Sequence, residues 1–126
     1  MKILIGADLV PTESNAELFI KSDIQTLLGD ELQKLLASAD YRIFNLEVPL
    51  TDIKSPMEKC GPALIAPTRT IGGIKAMNPS LLCLANNHIL DQGENGLAST
   101  TRLLNEHHIQ YMALGKTFIP PIRPIL

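Results

Sequence analysis

Residues 81–93 read Leu81-Leu82-Cys83-Leu84-Ala85-Asn86-Asn87-His88-Ile89-Leu90-Asp91-Gln92-Gly93. The opening run is continuously apolar, which suits a central strand buried on both faces. It stops at two amides and an imidazole, with Asp91 three residues further on. Gly93 then opens a stretch of helical periodicity reaching His107, with Leu97, Thr101 and Leu104 on one face. A strand running through polar groups into a helix is the repeating unit of an α/β sheet.

The flanking sequence repeats that unit. Ile3 to Gly6 predicts a buried strand that ends at Asp8. Tyr41-Arg42-Ile43-Phe44-Asn45-Leu46 predicts a second strand, with the aromatic and branched residues that strands favour, and it runs on into Glu47. Ile109 to Leu114 predicts a short fourth strand closed by Gly115. Between the first two strands, Asp30 and Gln33 form a capping-box pattern, and Leu28, Leu32, Leu35, Leu36 and Ala39 share a helical face. Thr68 to Met77 predicts a weaker helix carrying Ile71, Ile74 and Met77. It is loosened by Gly72 and Gly73 and stopped at Asn78-Pro79. Alternating strands and helices predict right-handed crossovers and a mostly parallel sheet. Glu47 to Pro67, with Pro49, Pro56, Gly61 and Pro62, resists any regular element, and loops of that length are uncommon without a function.

Ligands of open α/β sheets bind outside the carboxyl ends of the strands. Here those ends deliver Asp8, then Asn45 and Glu47, then Asn86, Asn87 and His88, with Asp91 close behind. Carboxylates, amide carbonyls and an imidazole without thiolate suit Mg, Mn, Fe or Zn better than a structural zinc. A pair of such ions about 4 Å apart polarises a phosphoryl oxygen and generates hydroxide at neutral pH. The chemistry is then phosphoester hydrolysis, with a histidine assisting the leaving group. Each residue alone has a plainer reading. Asp8, Asn45 and Glu47 fit turn or surface positions, Asn86-Asn87 supplies turn geometry, and Asp91 fits a helix N-cap. His107 and His108 complement a helix dipole. The coincidence at three strand ends favours a shared site.

With 126 residues, 45% of them hydrophobic and 19% charged, the chain is one globular domain or part of one. A net charge of −2 and scattered basic residues exclude a general nucleic-acid binder. Cys60 and Cys83 fit neither a disulfide framework nor a zinc spacing; free thiols are expected, with Cys83 in the core. The run from Met1 to Asp8 is too short for a signal-peptide core, and no stretch approaches the roughly 18 to 20 apolar residues of a membrane span. A cytoplasmic chain is the expectation. Phe118 to Leu126 sets three prolines among apolar residues, which predicts neither a helix nor a good strand. A truncation or a frame shift near Gly115 is expected ahead of a native docking tail, dividing the chain into 1–115 and an irregular 116–126.

Three motifs together, Gly6-Ala7-Asp8, Asn45-Leu46-Glu47-Val48-Pro49 and Ala85-Asn86-Asn87-His88-Ile89-Leu90-Asp91-Gln92-Gly93, resemble those of the CapA family of bacterial capsule (poly-γ-glutamate) synthesis proteins. The resemblance implies the amino-terminal part of a four-layer α/β sandwich similar to the calcineurin-like metallophosphoesterases, with mostly parallel strands. It implies metal ligands at Asp8, Asn45, Glu47 and Asn87, with Glu47 the better ligand of its motif. His88 would face the substrate, with Asp91 orienting it, and a complete domain would hold two divalent ions. It further implies a small-molecule or polymer substrate and capsule-synthesis machinery as partner. The phosphoesterase pattern Asp-x-His is absent, since Leu9 and Val10 follow Asp8, and so are the Gly-Asp of the second motif and the later histidine motifs. Three functions stay open: a metal-dependent hydrolase, a non-catalytic binding subunit of polymer synthesis or export, and an inactive truncated product.

Overall fold

The computed structural model describes residues 1–113. Expectations that fall on Leu114, Gly115 and residues 116–126 lie outside the described residues. The elements run β1 (Ile3–Leu9), α1 (Ala16–Ile20), α2 (Ile24–Ser38), β2 (Tyr41–Leu46), a 3-10 turn (Thr68–Thr70), α3 (Ile71–Ala76), β3 (Leu81–Cys83), α4 (Gly93–Glu106) and β4 (Tyr111–Met112). The strands form one all-parallel sheet in the order β1-β2-β3-β4. This is the mixed α/β architecture that the sequence predicts, consistent with part of a metallophosphoesterase-like sandwich.

Spatial order equal to chain order has a consequence. Crossovers of constant right hand then place every connecting helix on the same face of the sheet. Phe44, Leu46, Leu82, Leu84 and Tyr111 bury their side chains on that face, in one core with Phe19, Ile71, Ile74 and Leu104 from the helices. Leu27, Leu28 and Leu36 of α2 pack against its margin. The opposite face is open among the described residues. Ile3, Ile5 and Met112 are 54%, 77% and 53% exposed, and Ile43, Leu81 and Cys83 are only half-buried. The first strand is therefore an edge strand with one bare face, not a fully buried one. Cys83 lies on that face rather than in the core, and both cysteines are free.

The register of β1 on β2 contains an irregularity. Ile3 and Ile5 pair with Tyr41 and Ile43, but Asp8 and Leu9 pair with Asn45 and Leu46, so one extra residue is accommodated between Ile5 and Asp8. In an unbroken ladder Ala7 would stand beside Asn45, and Asp8 would point into the core. The bulge exchanges the two faces, which turns Asp8 out beside Asn45 and sends Leu9 into the core. Just before the bulge, Gly6 leaves room for the Phe44 ring, which a Cβ there would overlap.

The helices depart from expectation in detail. The first long helix starts at Asp23, whose carboxylate accepts from the Thr26 N–H at 3.1 Å and its hydroxyl at 2.7 Å. Asp30 forms no capping box: its carboxylate accepts from Gln25, and Gln33 donates to Gln25 and to the Gly29 carbonyl. Gly29, at φ 73°, kinks the helix just before Asp30, so the second segment does begin there, but without a side-chain cap. Leu32 and Leu35 remain exposed. In α4 the buried line is Gly96, Thr100 and Leu104, turned one position from the predicted Leu97 and Thr101. α3 buries Ile71 and Ile74, with Met77 buried at its C-cap. Among the described residues no helix is long and apolar enough to cross a membrane.

Gly73 has a packing reason that propensity hides. A Cβ there would stand 2.6 Å from Phe19 Cα and 2.7 Å from its carbonyl oxygen, where α1 crosses α3. Overpacking of this kind costs about 1–3 kcal/mol, more than the roughly 1 kcal/mol that alanine gains over glycine in a helix. Gly73→Ala is expected to lower the urea midpoint. Gly72→Ala, which meets the movable Ser22 hydroxyl at 3.0 Å, is expected to be milder. Equal or higher stability of Gly73→Ala in the melts would refute the close helix crossing.

Candidate active site

Asp8, Asn45 and Glu47 meet at the carboxyl edge of β1 and β2. The bulge aligns Asp8 with Asn45, and Glu47 follows Asn45 by two residues. The Asn45 amide donates to Asp8 Oδ1 at 2.8 Å and to Glu47 Oε2 at 3.2 Å. Its carbonyl oxygen accepts from Asn86 Nδ2 at 3.1 Å. Asn45 thus stands as a donor bridging two carboxyl groups.

β3 contributes through a turn that Asn86 builds. Its Nδ2 also donates to the Leu46 carbonyl at 2.9 Å, tying the end of β3 to the end of β2. Its Oδ1 accepts from the His88 and Ile89 N–H groups at 3.0 and 2.9 Å. That turn lifts Asn87 to an exposed position outside this network and aims His88 back over the strand ends. His88 Nε2 lies 3.8 Å from Glu47 Oε1, and Nδ1 lies 2.7 Å from Asp91 Oδ2. A ring nitrogen that close to a carboxylate carries a proton, so the Nε2 edge is the one presented to Asp8 and Glu47.

Asp91 is fully buried and caps no helix. One oxygen accepts from Lys59 Nζ at 2.5 Å, and the other from the Leu64 N–H at 2.7 Å and from His88. Gln92, also buried, accepts from the Ser55 N–H at 2.8 Å and donates to the Leu64 carbonyl at 3.1 Å. These two side chains hold the long irregular segment 47–67 against the start of α4. Further along it, the Leu50 N–H donates to Thr100 Oγ1 at 2.9 Å, and the Asp52 carboxylate accepts from the Thr68 N–H and hydroxyl at 2.9 and 2.6 Å. The segment is irregular but tied down, and it buries Val48, Leu50 and Ala66 in the core. Lys59 is the site residue that sequence reasoning passes over, while Asn86, read together with Asn87 at the strand end, is given no separate role there. A lone lysine in a proline-rich loop carries no signal, and Asn86 differs from Asn87 only by its place in the turn.

The carboxyl groups titrate apart. Hydrogen bonds from Asn45 and from Glu47 hold Asp8 below the ordinary carboxylate value, with a smaller contribution from the charge of His88. Sharing a hydrogen bond with Asp8, burial and the Asp8 charge push Glu47 above it. Burial pushes Asp91 up, but the bonds from Lys59, the Leu64 N–H and His88 outweigh it and leave this carboxyl lowered. Two acidic groups facing each other on an oxygen-rich edge fit a hard divalent cation, which would relieve their repulsion. Against that, among the described residues no three His, Cys, Asp or Glu side chains are grouped to hold a metal ion.

Residues 3–119 match the family described as "Bacterial capsule synthesis protein PGA_cap". The chain belongs to this family of bacterial capsule synthesis proteins. It is also 35% identical over 92 residues to the uncharacterized proteins y4sH and y4uA of Sinorhizobium fredii (strain NBRC 101917 / NGR234), a span covering 69% of this chain. The chain spans about a fifth of the length of these curated relatives, 20% of each. In this PGA_cap chain the Asn45–Glu47 and Asn86–Gly93 motifs therefore meet at one sheet edge, joined by the Asn86 bonds to Asn45 and Leu46.

Glu47 sets a pH dependence whose sign follows from its raised value. The folded chain binds the proton more tightly than the unfolded chain does. The stability this contributes is present below the unfolded value and is lost as pH rises through the folded value. Over that window Glu47→Gln is expected to show a flatter profile of urea midpoint against pH than the parent chain. Parallel profiles would contradict the shared proton.

Proposed function

We propose that this chain carries the metal-binding edge of a metal-dependent phosphoesterase-like domain within a capsule synthesis protein. The observation that carries the reading is the meeting of the Asp8 and Glu47 carboxyl groups with His88 Nε2 3.8 Å from Glu47 Oε1. Asp8 and Glu47 would hold a divalent ion (Mn, Fe, Zn or Mg), with the exposed Asn87 amide as a further donor and Asn45 keeping the carboxylates in place. A bound ion supplies Lewis-acid polarisation of a phosphoryl oxygen and a nucleophile at neutral pH. His88 would hold its Nδ1 proton on Asp91, take up a proton from solvent at Nε2 and pass it to the leaving oxygen. Asp91, as the carboxylate behind the imidazole, fixes the ring. The substrate class is a phosphoester on a small molecule or a polymer, and the partners are those of capsule polymer synthesis, poly-γ-glutamate among them.

A second reading, a non-catalytic binding subunit of polymer synthesis or export, is favoured by the Asn45 amide, which already satisfies both carboxyl groups without a cation. Manganese titration of the chain, followed by calorimetry and by paramagnetic broadening of its NMR spectrum, separates the two. The phosphoesterase reading expects heat and broadening centred on Asp8, Glu47 and Asn87, both lost in Asp8→Ala. No broadening at these residues would sink it. In a full-length relative, substitution of the residue matching His88 by alanine is expected to lower phosphodiester hydrolysis by roughly a hundredfold or more while metal binding persists.

A further inference from the structure

The irregular segment 47–67 brings one charged side chain into the buried cluster behind His88. Lys59 Nζ lies 2.5 Å from Asp91 Oδ1 and 3.5 Å from His88 Nδ1, and its side chain is 20% exposed. The shorter contact is an ion pair. The longer one joins two donors, because Nδ1 already gives its proton to Asp91 Oδ2 at 2.7 Å. The carboxylate is thus divided: one oxygen for the ammonium, the other for the imidazole and the Leu64 N–H at 2.7 Å. A fully buried carboxylate without a cation would be costly to keep ionised. A protonated Asp91 would be a weaker acceptor and, with its proton on Oδ2, a donor to the ring, so it would no longer select one nitrogen.

We infer that Lys59 is a positioning residue: by clamping Asp91 Oδ1 it keeps Oδ2 on His88 Nδ1 and turns the Nε2 edge of the ring to Asp8 and Glu47. Its use in catalysis rests on the reading of His88 given above, but its physical content is the tautomer of one imidazole. A lysine that merely pinned the loop would change stability and leave that tautomer alone.

The test is the ¹⁵N pattern of the His88 ring in the full 126-residue chain, without metal or substrate, at a fixed mildly alkaline pH. The parent chain is expected to show the proton on Nδ1 and a bare Nε2. Lys59→Met is expected to convert this single pattern to a mixture of tautomers, and Lys59→Arg to restore it. A parent ring carrying its proton on Nε2 overturns the inference. So does a Lys59→Met ring identical to the parent, even if that variant melts at a lower temperature. Should Lys59→Met fail to fold, Lys59→Ala is read the same way, since its smaller side chain leaves room for solvent at Asp91. Because the readout needs neither metal nor turnover, a chain without phosphoesterase activity leaves it standing, and a failed tautomer test leaves the metal reading untouched.

Discussion

A parallel sheet whose strands lie in the order of the chain carries all its crossovers on one side, because each connection has the same hand. That constraint arranges everything else in this molecule. It stacks α1, α3 and α4 on one face of the sheet and gathers Leu46, Leu82, Leu84, Ile74 and Leu104 into a single core. It leaves Ile3, Ile5 and Met112 on a face that no described residue covers. It also aligns the carboxyl ends of β1, β2 and β3 along one edge, where Asp8, Asn45 and Glu47 meet the turn that carries His88. The polar site and the bare apolar face therefore share a border, and whatever packs on that face also shapes one wall of the site.

The second organising element is the pair of buried polar side chains before α4. Irregular backbone cannot satisfy its own hydrogen bonds, so a long loop against a core needs partners from elsewhere. Asp91 and Gln92 provide them, and the same Asp91 carboxylate supports His88. Structural and chemical demands fall on one residue. From within that loop Lys59 reaches the same carboxylate.

Much of this was legible in the sequence. All four strands were recognisable because apolar runs bounded by polar groups and glycines have few other readings, and the polar ends of three of them named the edge where the site forms. What escaped was information that period and propensity do not carry. The run Ile3-Leu4-Ile5-Gly6-Ala7 is apolar throughout, so nothing in it announces which residues face the helices or that the ladder slips before Asp8. Asp30 marks only the second segment of its helix, whose first segment starts at Asp23 because Thr26 offers that carboxylate both an N–H and a hydroxyl. The glycines of α3 read as weakness, although Gly73 is what admits Phe19 of α1. Asn86 and Asn87 are chemically identical, and only the turn between β3 and α4 makes one a brace and the other an exposed amide.

The slip in the β1 ladder makes spacing a form of information in this chain. Between Ile5 and Asp8 the bulge absorbs one link: with one unit fewer the ladder would run unbroken and still set the carboxylate beside Asn45 and the leucine inward. One unit more, without a second irregularity, would invert inside and outside. In that stretch the loss of a link is therefore better borne than the gain of one.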